Sequence, residues 1–200
     1  IMWSIANETF TFTEAAGEWH GWLADVARYV DPTRPVTMAE VTVNVPEVDA
    51  LRSGAAHMDV ISVNMYFGWY YGVAADAEAH VRALHERFPD TPIIISEFGA
   101  GAAYGRAESD GPWQQGERVF LDRTYSEEYQ AAVIEEYLSM AQRHPYVVGV
   151  SPWVFADFLC PWFANNPVPG YNTKGLLSKD RQPKAAYHTA ARIYEEMSSR

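Results

Sequence analysis

Five nearly continuous apolar runs punctuate the chain: IMWSIAN (1–7), PVTMAEV (35–41), DVISVNMY (59–66), PIIISEFG (92–99) and VVGVSPWVF (147–155). Runs of this length without polar alternation predict parallel strands with helices covering both faces of the sheet. Between them the apolar positions switch to helical spacing, which predicts helices over 14–30, 74–88, 126–143 and 184–198, with a short one near 46–56. Proline-containing breaks, DPTRP (31–35), FPDTP (88–92) and HPY (144–146), separate helix from strand where a proline blocks helix continuation. Strand alternating with helix predicts right-handed βα units and a parallel sheet, either open or closed into a barrel. With no internal repeat and no linker, residues 1–200 read as a single domain.

The polar residues cluster at the C-terminal ends of these runs: Asn7 and Glu8, Glu40, Asn64 and Tyr66, Ser96 and Glu97, Trp153 and Asp157. Burying such groups costs free energy unless they find partners, so a strand that stops on an amide and a carboxylate is reaching water or lining a site. In a (β/α)8 barrel that end of the strands carries the chemistry. No GxGxxG or GxxxxGK turn comes after the first strand, which removes the main argument for an open nucleotide-binding sheet. The expected fold is therefore an α/β (β/α)8 TIM barrel, of which this chain holds roughly strands 4 to 8. The chain starts on Ile1, inside a strand and without a cap or turn before it, and is expected to be the C-terminal part of a longer barrel domain.

Composition then narrows the partners. A formal charge of -11 and a pI near 4.9 would repel nucleic-acid phosphates, and no apolar run approaches the roughly 20 residues that span a bilayer. No nucleic-acid or membrane partner is expected. The lone Cys160 cannot form an internal disulfide, and the six histidines show no zinc-ligand spacing, so neither a metal nor another cofactor is expected. What remains is a pair of carboxylates. Glu8 and Glu97, 89 positions apart, each close an apolar strand. Two carboxyls facing each other across a cleft are the equipment of a glycosidase, one to protonate the leaving oxygen and one to attack the anomeric carbon. The competing reading is that each carboxylate caps the helix after its strand.

MWSIANE (2–8) together with PIIISEFGA (92–100) resembles the acid/base and nucleophile segments of glycoside hydrolase family 2, a family of retaining glycosidases. The resemblance continues in order through DVISVNMYFGWYYG, TYSEEYQ, VVGVSPWVFADF and NTKGLLSKDRQPKAA, over nearly the whole chain. It implies Glu8 as general acid/base, Glu97 as nucleophile, and Asn7 as the partner of the sugar 2-hydroxyl. It also implies Tyr66 beside the nucleophile and Trp153 as the aromatic floor under the terminal sugar. Asn64 and Tyr70, with Tyr66 and Trp69, lie just past the third strand, where flat apolar faces and phenolic hydroxyls suit a pyranose; Phe67 there reads as core, and Asp157 as a turn cap.

Asn172 and Lys174 form an Asn-x-Lys motif of the kind that grips the C6 carboxylate of glucuronic acid in β-glucuronidases. TYSEEYQ and WVFADF also look more like β-glucuronidases than β-galactosidases. Departures exist: Trp153-Val154-Phe155 stands where many glucuronidases have WNF, and LCPWFANNPVPG (159–170) is a long aromatic insertion whose Trp162 and Phe163 either meet the aglycone or pack on the barrel rim. Residues 100–124 read as a loop over the cleft. The resemblance thus implies a retaining exo-glycosidase that hydrolyses terminal β-D-glucuronides, with a carbohydrate as its partner and a homo-oligomer of the full-length enzyme left open. A β-galactosidase of the same family and a catalytically inactive carbohydrate-binding relative are the alternatives.

Overall fold

The computed structural model describes residues 1–9, 13–41, 54–111, 113, 124–164 and 166–199. The chain divides into two compact units, one made of residues 1–65, 76–97 and 144–150, the other of 66–75, 98–143 and 151–200.

The first unit holds the strands β1 (Trp3–Asn7), β2 (Val36–Val41) and β3 (Val60–Asn64) with the helices α1 (Glu14–Val30) and α2 (Asp76–Arg87). It also holds β4 (Ile93–Phe98) and β5 (Val147–Pro152) except their last residues, Phe98 and Ser151–Pro152. The strands form one parallel sheet in the order β1-β2-β3-β4-β5, so each βα unit lays its strand beside the preceding one. The predicted strands and helices match these elements, with ends shifted by three residues or fewer. Of the short helix predicted near 46–56, residues 46–53 lie outside the described residues, and Gly54–His57 form a 3₁₀ turn.

The inner strands fit their apolar runs. Val36, Met38, Ile61 and Val63 are buried, and Ala24 of α1 packs with Val36, Met38 and Met58 against Ile5, Ala6 and Ala27. β1 is the first strand of this sheet, paired with β2, and its Trp3, Ser4 and Asn7 are exposed. The helix ends obey their local chemistry. Thr13 caps α1 by accepting from the Ala16 amide at 3.2 Å. Asp31 of the DPTRP break accepts from the Thr33 amide at 2.9 Å and from Trp3 Nε1 at 3.1 Å, which ties the turn to β1. Asp59 joins the start of β2 to α1, accepting from the Val36 amide at 2.8 Å and from Arg28 Nη2 at 2.9 Å.

The second unit is built on α3 (Glu127–Arg143) and α4 (Ala185–Ser198). Phe98 stacks on Tyr137 with centroids 4.7 Å apart, and Ile134, Leu138, Ala186 and Ile193 are buried with them. The Tyr137 hydroxyl donates to the Phe67 carbonyl at 3.2 Å, and Phe67 is buried as expected of a core residue. Two short strands, β6 (Phe158–Leu159) and β7 (Tyr171–Asn172), pair antiparallel and close the 159–170 insertion into a hairpin. Two residues per strand leave no periodicity to read in the sequence. Residues 112 and 114–123 of the predicted 100–124 loop lie outside the described residues. Arg106 staples the described part of it, donating to the Thr124 carbonyl at 2.6 Å and the Gly111 carbonyl at 2.7 Å.

Within the first unit His20 is buried and its Nε2 lies 2.8 Å from Thr9 Oγ1; burial pushes its imidazole below its ordinary value. The unfolded chain then takes up this proton at a higher pH than the folded one, so folding stability drops as pH falls below about 6.5. Thermal unfolding at pH 7.5 and 5.5 should show the midpoint falling on acidification, and His20→Gln should reduce that dependence.

Candidate active site

In both carboxylate-bearing strands the ladder breaks register just before the polar residues. Along β1 and β2 the pairs run Trp3 with Val36 and Ser4 with Thr37, then Asn7 with Ala39, one residue more on β1 than on β2. Between β3 and β4 they run Val63 with Ile95 and then Asn64 with Glu97, so Ser96 is the extra residue. A bulge of this kind ends the alternation of faces and re-aims the side chains beyond it. Glu8 continues from β1 with its amide donating to the Ala39 carbonyl at 2.9 Å and its backbone at φ 49°. For a residue with a Cβ the left-handed region costs on the order of 1 kcal/mol, so the neighbours must hold it there.

Asn64 supplies the hold. It is 1% exposed, and its Nδ2 donates to Asn7 Oδ1 at 3.1 Å and to Glu8 Oε1 at 3.2 Å. Its Oδ1 accepts from the Ser96 hydroxyl at 2.7 Å. Both ends of the Asn64 amide are thus engaged, Nδ2 by Asn7 and Glu8 and Oδ1 by Ser96. Glu97, the register partner of Asn64, is half-buried, and its carbonyl accepts from the Met65 amide at 2.9 Å. The residues Asn7, Glu8, Asn64 and Glu97 thus share one end of the sheet, with Ser96 among them. Glu40, also at a strand end, is turned to structure: it accepts from the Ala55 amide at 2.8 Å.

The second unit gathers Tyr66 and Tyr70 of the predicted residues around Lys174. This lysine is 4% exposed, and its Nζ donates to the Tyr70 hydroxyl at 2.7 Å. The rings of Tyr70, Phe163, Trp69 and Tyr66 lie with centroids 4.8, 5.1, 5.5 and 5.6 Å from Nζ. The negative faces of aromatic rings attract and stabilise a cation placed over them. Asn172 shapes the turn before Lys174: its Oδ1 accepts from the Lys174 amide at 3.0 Å, which directs the Nδ2 end of its amide the other way.

Trp153 is half-buried, with its ring edge-on to Phe158 at 6.1 Å and its peptide bond to Val154 cis. Its carbonyl comes so close to Gly99 that a Cβ there would sit 2.9 Å away, at a φ of 145° that suits only glycine, which accounts for the Gly after Glu97-Phe98. Asp157 is structural, as expected, accepting from the Gly175 amide at 2.9 Å and from Lys184 Nζ at 2.8 Å. Burial pushes the Asp157 carboxyl up and the Lys184 ammonium down, and each charge opposes the shift of the other.

The contacts of three residues escape the sequence. The hydroxyl of Ser96 reveals its part only once the bulge is known, Phe163 joins the lysine cage from an insertion without a recognisable pattern, and Lys184 reads as an ordinary helix-flanking cation. The strand-end cluster is open to a direct stability test. Asn64→Ala leaves the Ser96 hydroxyl without its acceptor and should cost about 1–3 kcal/mol in denaturant unfolding, whereas Ser96→Ala should cost about 0.5–1.5 kcal/mol.

Comparison with known proteins connects this geometry to a family. The family description "Glycosyl hydrolases family 2, TIM barrel domain" matches residues 1–199. The β-glucuronidase of Felis catus is 38% identical over 193 residues, which are 93% of this chain and 27% of that protein. Among solved structures, the FMN-binding β-glucuronidase from Facaelibacterium prausnitzii L2-6 matches with a TM-score of 0.80 at 27% identity, covering 97% of this chain and 29% of that one. The GH2 β-galacturonidase from Eisenbergiella tayi bound to galacturonate matches with a TM-score of 0.76 at 27% identity, over 98% of this chain and 33% of that one. The chain therefore spans between about a quarter and a third of the length of these relatives. Its five parallel strands and their helices are part of a TIM barrel, and the chain belongs to glycoside hydrolase family 2.

Proposed function

We propose that the protein containing this chain is a retaining exo-glycosidase acting on terminal β-D-glucuronides, with Glu97 as nucleophile and Glu8 as general acid/base. The observation that carries the proposal is the cluster in which Asn64, the register partner of Glu97, donates to both Asn7 and Glu8. In this reading Glu97 attacks the anomeric carbon while Glu8 protonates the departing glycosidic oxygen, and a glycosyl ester forms on Glu97. Glu8, left as a carboxylate by that transfer, then takes the proton of the incoming water as general base. Water attacks from the face the aglycone left, and the product keeps the β configuration. Asn7 holds the sugar 2-hydroxyl, a contact that strengthens as charge develops at the anomeric centre. Tyr66 attends the nucleophile, and Trp153 forms the floor under the terminal ring.

The choice of a uronide rests on Lys174, with the Nδ2 end of Asn172 as its helper. A dehydrated ammonium gains a charge-assisted bond from a C6 carboxylate and nothing comparable from the hydroxymethyl group of a galactoside. The relative bound to galacturonate favours a second reading, a β-galacturonidase, because a lysine that reads C6 is indifferent to the configuration at C4.

Three aryl substrates, β-D-glucuronide, β-D-galacturonide and β-D-galactoside, separate these readings. The glucuronide should have the highest kcat/KM, and Lys174→Ala should lower the glucuronide-to-galactoside ratio by about ten- to a hundredfold. A ratio that stays put would remove the uronide reading and leave the glycosidase one standing. Glu8→Gln should reduce kcat/KM about 10²- to 10⁴-fold on substrates with poor leaving groups. Glu97→Gln should abolish turnover, and proton NMR of the first-formed sugar should detect the β anomer.

A further inference from the structure

The residue in the second unit that calls for a function is Lys184. Its side chain is 0% exposed, just before α4, and its Nζ donates to three oxygens: Asp157 Oδ1 at 2.8 Å, the Ala102 carbonyl at 2.7 Å and the Thr173 carbonyl at 3.0 Å. Those bonds use all three ammonium protons. Asp157 Oδ1 in turn accepts from the Gly175 amide at 2.9 Å. The two peptide groups that flank Lys174 are therefore tied to one ion pair, the carbonyl of Thr173 to Lys184 and the amide of Gly175 to Asp157.

Other bonds brace the same segment. The Ala102 amide donates to the Thr173 carbonyl at 3.0 Å, the Val154 amide to the Lys174 carbonyl at 3.1 Å, and the Lys184 amide to the Leu176 carbonyl at 3.0 Å. Gly175 lies so close to its surroundings that a Cβ would come within 2.1 Å of the Asp157 amide nitrogen, a backbone atom that cannot step aside. The backbone of Lys174 is thus gripped from both sides while its side chain runs into the aromatic cage.

A buried ion pair is a poor source of stability, because the cost of dehydrating two charges offsets much of their attraction, and apolar replacements of similar volume are often neutral or stabilising. What such a pair does supply is directional fixing: donors and acceptors at set angles hold a backbone segment in a way that packing alone does not. A binding group is only as selective as its placement, since a displacement of about 1 Å forfeits a bidentate or charge-assisted contact.

We propose that Lys184 and Asp157 are a positioning pair for Lys174, and that they set the preference of the enzyme for a uronic acid over a neutral sugar. The proposal rests on the reading of Lys174 as the group that meets the C6 carboxylate. Neither residue of the pair touches substrate; both act through the backbone on either side of Lys174.

The test uses the full-length enzyme and the aryl glucuronide and galactoside pair. Each single substitution at the pair strands a buried charge, so the main variant is the double Lys184→Met/Asp157→Asn, which removes both charges, keeps the side-chain volumes close and retains a side-chain carbonyl oxygen as an acceptor for Gly175. Thermal unfolding checks that it folds. Asp157→Asn alone, which keeps the carbonyl contacts of Lys184, is the second variant. The double variant should lower the glucuronide-to-galactoside ratio of kcat/KM by about tenfold or more, mainly through a higher KM for the glucuronide, with Asp157→Asn falling in between. Equal losses on both substrates, or none on either, would mean that the pair only supports the fold and would overturn the proposal. Lys174→Ala runs beside them. If it lowers the ratio and the pair variants do not, the positioning claim falls and the uronide reading stands; if Lys174→Ala itself leaves the ratio unchanged, both fall.

Discussion

A side-chain amide buried at the end of a strand must find partners for two protons and a carbonyl oxygen, because water is not there to supply them. Asn64 meets that demand inside a single cluster, giving its protons to Asn7 and Glu8 and taking one from Ser96. The physical requirement of one residue thereby orders three others. It holds Glu8 in a backbone conformation that costs energy and fixes the direction of its carboxyl. It also pins Asn7 by its carbonyl oxygen, which presents the opposite end of that amide as a donor. The two bulges are what make the arrangement reachable, since without an extra residue on β1 and on β4 the strict alternation of the strands would send these side chains to other faces.

The second unit solves a different problem, the burial of cations. Two of its lysines, Lys174 and Lys184, are each less than 5% exposed and lie in contrasting surroundings. Lys184 has a carboxylate and two carbonyls around its ammonium, so its charge is answered from within the protein. Lys174 is met by the Tyr70 phenol and by the faces of four aromatic rings. The same turn carries both, because Thr173 and Gly175 are held by the first lysine and its aspartate while Lys174 between them faces the cage.

Much of the fold was legible because the signals are local. The apolar runs at 35–41, 59–66 and 92–99 became β2, β3 and β4, and the 14–30 helix was read with its ends in place. The prolines of DPTRP, FPDTP and HPY end helices whatever surrounds them. What was not legible depends on remote pairing. The β6–β7 hairpin rests on two pairs of residues brought together across the 159–170 insertion.

The sequence by itself determined the βα order and the positions where apolar runs give way to polar residues, Glu8 and Glu97 among them, because periodicity, proline and residue type act over a few neighbours. Tertiary structure alone decided which side chains meet. The bond from Ser96 to Asn64 spans 32 positions, that from Asn64 to Glu8 56, and that from Lys174 to Tyr70 104. It also turned the Asn172 carbonyl inward to shape a turn, brought Phe163 to the cage, and made an ion pair of Asp157 and Lys184. Hydrogen bonds and cation–aromatic contacts are selective at a few ångströms, and distances on that scale between remote residues are set by how the strands and helices pack, a quantity no short stretch of sequence contains.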